Sequence, residues 1–359
     1  MGKRIAIESL RPGAIFKNKN LAGQYCLSPF VSVEIGLNGE VHLCNCARWM
    51  PMPVGNILQD SLPNILANAA SQAVRASIRD GTYHFCDESR CGIMANQLLN
   101  TRDTLPPDVA AIIDEPSKFI MPREIVLSGD IVCNLSCPSC RPKVIRKNHH
   151  GFRRATEVAE IMLANIFAQP TKQEFRLMVS TTGELFASTV LMNLVGGLRS
   201  HDFPNLRLKI QTNGLLAPSR WHRLGDMADQ VESITVTVDA AEPSTYEQLR
   251  RGGKWSQLQA AMAWLQDKKQ QTGMLLHTRM IVQKENYREM HKFYDWSMGY
   301  HADTIEYARI MDWQTFADDF VLHDVFDQRN PNFPDALDEL AKVANLPHVL
   351  LFGGLHSAH

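Results

Sequence analysis

Three cysteines share one short stretch, Cys133-Asn-Leu-Ser-Cys137-Pro-Ser-Cys140. Thiolates are soft ligands that select iron–sulfur clusters or zinc over harder metals. Spaced C-x3-C-x2-C on one loop, they can take three irons of a cubane and leave the fourth without a protein ligand. An iron left open can bind a substrate, which is the chemical reason to have three ligands and not four. Zinc is the rival reading. A structural zinc site wants a fourth Cys or His, and His149 and His150 are near enough in sequence to be recruited.

Five more cysteines, Cys26, Cys44, Cys46, Cys86 and Cys91, precede this loop, and none follows Cys140. Clustered cysteines in a reducing compartment argue for metal or catalysis over disulfides. The rest of the composition is that of an ordinary globular protein: 359 residues, 45% apolar, 21% charged. A formal net charge of −1 gives no field to hold a polyanion, so nucleic acid is disfavoured as the main partner. No apolar run approaches the roughly 18 residues of a membrane span. Basic residues near Met1 are not followed by an apolar export segment, so the expected address is the cytoplasm, with no membrane partner.

The elements that must position these residues fall into an irregular first part and a regular second part. Residues 1–100 mix short strands with one helix. Val31-Ser-Val-Glu-Ile alternates as a strand should, Asn38-Gly39 suits a hairpin turn, and Val41-His-Leu continues it. Ser61 to Ile78 has helical spacing, with Ser61 as cap. Residues 101–122, rich in Pro and Asp, read as a linker around a short helix. From Glu124 onward, strands at 124–128, 174–180, 206–212, 233–239, 275–283 and 303–309 alternate with helices at about 154–168, 187–199, 219–229, 255–270 and 286–299. That alternation implies an α/β fold with a parallel sheet, open or curled into part of a barrel, over residues 123–320. Residues 321–359 hold one helix, about 334–345, and a tail.

The cysteine loop follows the first of these strands, and here the chain resembles the radical S-adenosylmethionine (SAM) superfamily over roughly residues 120–310. The resemblance implies a partial (βα)6 TIM-like barrel. It also implies a 4Fe–4S cluster on Cys133, Cys137 and Cys140 whose open iron binds the amino and carboxylate groups of SAM. One electron, from a donor such as flavodoxin or ferredoxin, would cleave the cofactor to a 5′-deoxyadenosyl radical. Further segments follow successive strands in order. Thr181-Thr-Gly183-Glu184 stands where the family has Gly-Gly-Glu, with Thr182 in place of the first glycine. Lys209-Ile-Gln211-Thr-Asn213-Gly214 resembles the family's strand followed by Thr-Asn-Gly, and period-2 alternation puts Lys209, Gln211 and Asn213 on one face. Asp239, the Thr245-Tyr246 pair and Arg250 resemble the fourth strand end, and Ile281 lies near the family's apolar contact with adenine. The implied cofactor contacts are thus Gly183, Glu184, Lys209, Gln211, Asn213, Arg250 and Ile281. Ser139 departs from the aromatic residue many members carry before the last cysteine.

The first part resembles the SPASM and twitch domains, which hold auxiliary clusters. Cys26-x12-Gly39-x4-Cys44 has their opening spacing, and Cys86-x4-Cys91 follows a helix. The resemblance implies a second, closed 4Fe–4S cluster on Cys26, Cys44, Cys86 and Cys91, with Cys46 spare or exchanging for one of them. The family places this domain after the barrel, whereas here it comes first. A zinc knuckle is the competing reading. A closed auxiliary cluster suggests oxidation of a substrate radical, by dehydrogenation or cross-linking, with redox-neutral epimerisation also within the family's range. Twitch and SPASM relatives act on peptides or on sugars and cyclitols. A non-catalytic electron carrier or a zinc-stabilised binding module is the alternative from another class, but a pure carrier has no need of a vacant iron. Arg309, Asp312, Trp313 and Trp49 are further candidates for the substrate, with packing or a surface salt bridge as the commoner role of such residues. No catalytic acid or base is assigned.

Overall fold

The computed structural model describes residues 19–44, 50, 52–87, 91–95, 97–115, 121–146, 149–179, 182–316 and 319–355. The chain forms two compact units, the first from residues 1–129, 153–178 and 202–206, the second from residues 130–152, 179–201 and 207–359.

In the first unit the expected hairpin forms from β1 (Ser32–Ile35) and β2 (Glu40–His42), with Glu34 opposite His42. Gly39 makes its turn at φ 82°, and a side chain there would meet Asn56 Oδ1 at 2.7 Å, so only glycine fits. β3 (Gly55–Asn56) pairs antiparallel with β2. β4 (Glu124–Leu127), the first strand of the regular region, runs parallel beside β1, Ser32 opposite Glu124 and Ile35 opposite Leu127. β5 (Phe175–Val179) is the next strand beyond β4.

The helical pattern of residues 61–78 is realised as two helices, Leu62–Ala67 and Ala69–Arg79. Asn68 between them is extended, and its side-chain oxygen accepts the Ser71 N–H at 2.9 Å, so it caps the second helix as Ser61 caps the first. An apolar core of Phe30, Ile78, Tyr83, Val109, Ile112 and Ile113 surrounds Cys26. Three of these belong to helix Pro107–Asp114, within the Pro- and Asp-rich stretch.

In the second unit β6 (Leu206–Thr212), β7 (Val231–Thr237), β8 (Leu275–Val282), β9 (Thr304–Arg309) and β10 (Val349–Phe352) lie side by side in sequence order, all parallel. Helices Trp255–Thr272, Met290–Gly299 and Phe333–Ala341 connect the later strands. The chain is therefore α/β with a mostly parallel sheet, preceded by a small α+β region. Leu208, Ile210, Ile234, Leu276, Met280 and Ile305 on the strands and Leu258, Leu265 and Phe293 on the helices are all buried. Each such side chain contributes about 1.5–3 kcal/mol. Two segments differ from expectation. β10 comes from the tail, and the helix expected over residues 219–229 is a short α-helix, Ala217–Arg220, followed by 3-10 turns over Trp221–Gln230 bent at Gly225 (φ 59°, ψ −136°). Among the described residues no helix is long and apolar enough to cross a membrane.

Candidate functional site

Ligands of parallel sheets collect at the carboxyl ends of the strands, and the cysteine loop is built there from local hydrogen bonds. The Cys133 N–H donates to Ile145 O at 2.9 Å, and the N–H groups of Cys140 and Arg141 both donate to Cys137 O at 2.9 Å. The Ser136 N–H donates to Arg251 O, while Arg251 Nε donates back to Ser136 O, both at 3.0 Å. Leu135, fully buried between Cys133 and Cys137, anchors the loop against Leu215. Cys133 and Cys137 are buried and Cys140 is exposed. Burial pushes the Cys137 thiol up to about 11, opposed by the nearby Arg250 cation, and it raises Cys133 as well.

Two guanidinium groups flank the sulfurs. Arg250, expected as a cofactor contact, is paired with Asp239 at 3.1 Å, and its Nε has no partner among the described residues. Asp239 is 2% exposed and has a positive φ of 65°, uncommon outside glycine. Its Oδ1 accepts the Ile281 N–H at 2.8 Å, and its carbonyl accepts from Asn286 Nδ2 at 2.8 Å. Arg141, which the sequence reading passed over, is only 9% exposed. It donates to Cys140 Sγ through Nε at 3.4 Å and Nη2 at 3.3 Å. Nη1 donates to Ile131 O, and Nη2 also to Thr182 O at 2.7 Å.

The segment after β5 closes on the same loop. A side chain at Gly183 would meet Asp130 O at 2.5 Å and Val132 O at 2.8 Å, so this approach requires glycine. Thr182 takes the place of a glycine without losing the contact: its hydroxyl donates to Asp130 O at 2.9 Å. Asp130 in turn accepts from Ser188 Oγ at 2.5 Å. Glu184 is fully buried, and its carboxylate accepts from Phe186 N, Thr212 Oγ1 and Asn213 N at 3.1, 2.7 and 2.7 Å. Burial raises its carboxyl, and these three donors pull it back. Glu184 therefore braces the end of β6, and Asn213 Nδ2 reaches Asn134 Oδ1 at 2.9 Å and stands 3.9 Å from Cys133 Sγ.

Lys209 and Gln211 share the half-open face of β6, as the alternation implied, while Asn213 lies just past the strand end and is buried. That face continues through paired positions: Gln211 with Thr235, Thr235 with His277, Thr237 with Arg279 and Arg279 with Glu306. Arg279 and Glu306 form an ion pair at 2.5 Å. Ile281 is half-buried at the end of β8. Arg309 is engaged by Asp324 at 2.8 Å, and exposed Asp312 closes a turn by accepting the Gln314 N–H at 2.7 Å. Trp313 is half-buried. Thr181, Cys46 and Trp49 lie outside the described residues, as do the side chains of His149 and His150.

The other four cysteines gather in the first unit. Cys26 is buried, and its N–H donates to Tyr83 Oη at 2.9 Å, which donates onward to Gln24 O at 2.8 Å. Burial pushes the Cys26 thiol up to about 12, helped by the neighbouring Cys44 and Cys91. Cys86 is raised chiefly by burial, and further by the charges of Cys26, Cys44 and Cys91.

Both sets offer the soft thiolate donors that an iron–sulfur cluster takes. The donors are thiolates, with cations beside Cys137 and Cys140 to balance them.

Family models agree with this donor chemistry. The model of the radical SAM superfamily matches residues 131–297, and that of the SPASM iron–sulfur cluster-binding domain matches residues 26–92. The chain is 26% identical over 130 residues to GTP 3′,8-cyclase of Alkaliphilus metalliredigens (strain QYMF), covering 35% of this chain and 38% of that protein. Among solved structures it is similar to Streptococcus suis SuiB bound to the precursor peptide SuiA, with 13% identity, TM-score 0.45, and coverage of 70% of this chain and 53% of that one. It is also similar to anSMEcpe with bound AdoMet, with 16% identity, TM-score 0.40, and coverage of 61% and 56%. The chain thus spans little more than half the length of these solved relatives and just over a third of the cyclase. Residues 131–297 thus match the radical SAM superfamily, whose domain takes a 4Fe–4S cluster and SAM, and residues 26–92 match the SPASM domain, which takes auxiliary iron–sulfur clusters.

Proposed function

We propose that the chain is a radical SAM enzyme that takes a hydrogen atom from a polar substrate, a peptide or a sugar or cyclitol, and oxidises it. The observation that carries this reading is the open three-cysteine loop bordered by segments 182–184, 212–214 and 239–250, in the family's order. Cys133, Cys137 and Cys140 hold the SAM-binding cluster, and Cys26, Cys44, Cys86 and Cys91 hold a closed auxiliary one. Bound together, cluster and SAM supply one-electron cleavage and hydrogen abstraction.

The chain's own residues orient and shield that chemistry. Gly183 and Glu184 bring two loops together at the cysteines, and Asn213 is fixed beside Cys133 by Glu184. Arg250, oriented by Asp239, presents its unpartnered Nε as a donor to the cofactor's carboxylate or ribose, and Ile281 offers an apolar edge to adenine. Lys209 and Gln211 face ribose or substrate. The paired row of Thr235, His277, Arg279 and Glu306 gives hydrogen-bonding groups for a polar substrate. In a dehydrogenation the substrate gives up a hydrogen atom, an electron and a proton. The closed four-cysteine set is assigned the electron, and solvent the proton. An electron donor of the flavodoxin or ferredoxin kind and a cytoplasmic address complete the reading.

The test is anaerobic purification, reduction and addition of SAM. The expected result is 5′-deoxyadenosine with about eight irons per chain, as two cubanes require. No nucleoside rejects the enzyme, and about four irons removes the auxiliary cluster. Deuterated peptides and sugars, screened for label in the nucleoside, then decide the substrate class.

A further inference from the structure

We propose that Arg141 is the charge partner of the cysteine loop: it holds the Cys140 sulfur through two N–H groups and makes the cluster bound there easier to reduce. The inference deepens the reading above and rests on it.

Arg141 is a buried cation, 9% exposed, and among the described residues no carboxylate pairs with it. A guanidinium in that setting costs several kcal/mol unless an anion compensates it. The anions at hand are sulfurs. Three thiolates give an oxidised cubane one net negative charge, and reduction adds a second. Arg250 does not fill this role in the same way, because Asp239 already matches its charge at 3.1 Å.

The geometry fixes Arg141 in advance. Nη1 is spent on Ile131 O and Nη2 on Thr182 O, one carbonyl on each side of the loop, which leaves Nε and the same Nη2 aimed at Cys140. A planar, always-charged fork held in this way needs no rearrangement when an electron arrives. Hydrogen bonds to a cluster's sulfurs and net charge near it are among the levers that set its potential. Arg251, which follows helix Pro243–Leu249, gives a contrast: it holds the loop's backbone through Ser136 O and Pro142 O at 3.0 and 3.4 Å, and among the described residues it donates to no sulfur.

The experiment is an EPR-monitored redox titration of the full chain with reconstituted clusters, following the signal that responds to added SAM. At a potential where the wild-type cluster is half reduced, R141Q is expected to show about a tenfold lower ratio of reduced to oxidised cluster, a shift of about 59 mV for one electron. R141K keeps the charge but loses the fork and is expected to fall between. R329Q, which removes an exposed cation paired with Asp327, is expected to match the wild type. A cluster retained in R141Q with an unchanged ratio overturns the proposal. Should R141Q fail to hold the cluster, R141K decides: a lowered ratio supports the proposal and a wild-type ratio overturns it. A wild-type protein with no SAM-responsive signal sinks the enzyme reading itself, an outcome distinct from all of these.

Discussion

Cys133, Cys137 and Cys140 arrive on one loop, with two guanidinium groups beside them and Cys140 open to solvent. Cys26, Cys44, Cys86 and Cys91 are drawn from separate segments between residues 26 and 91, with Cys26 in an apolar core and Cys86 packed against it. The closure entropy of the two arrangements differs accordingly. A short loop loses little freedom on gripping a cluster, whereas three distant segments must be brought together first. The loop is thus built for charge and access, and the dispersed set for holding a fold together. A cluster on the dispersed set should stabilise its unit much as a structural metal does.

That contrast can be broken experimentally, and the largest effect comes first. C137A is expected to abolish 5′-deoxyadenosine formation and remove about four irons per chain, with little change in thermal midpoint. C86A is expected to remove a similar amount of iron while leaving SAM cleavage intact. It should lower the thermal midpoint by about 4–8 °C, corresponding to roughly 2 kcal/mol. Equal losses of midpoint in the two variants would erase the distinction. Tyr83→Phe strips the partner from the Cys26 N–H and the Gln24 carbonyl. Denaturant titration should record a loss of about 1–3 kcal/mol. The smallest effect is expected at exposed Asp312, where D312N should change stability by less than about 0.5 kcal/mol and leave the iron content unaltered.

The strands were legible because runs such as Leu206–Thr212 and Leu275–Val282 alternate or are apolar throughout, and the turns between them carry Gly and Asn. β10 was hidden because Val349–Phe352 is a four-residue run with no neighbouring pattern, and it becomes a strand only by pairing with β9. The break at Asn68 escaped because the two helices keep one apolar face across a single capping residue. At the site, the grouping of Cys133, Cys137 and Cys140 on one loop was legible from their spacing, and the assignment of Cys26, Cys44, Cys86 and Cys91 rested on a resemblance. Arg141 was not, since a charge after a cysteine reads as a surface group. Its burial depends on the carbonyl of Thr182, which only folding brings near. Glu184 was expected beside the cofactor from its motif, whereas its hydrogen bonds with Thr212 and Asn213 were not legible, because those partners lie on another strand end.

Asp239 bears on how far this chain can vary. Its left-handed backbone is open to glycine, asparagine or aspartate at modest cost, and is strained for most other residues. Its neighbour Arg250 demands a negative charge, which of those three only aspartate carries. Steric and electrostatic requirements intersect on one side chain, so the position has a single solution. Mutational drift there is closed unless both partners change together.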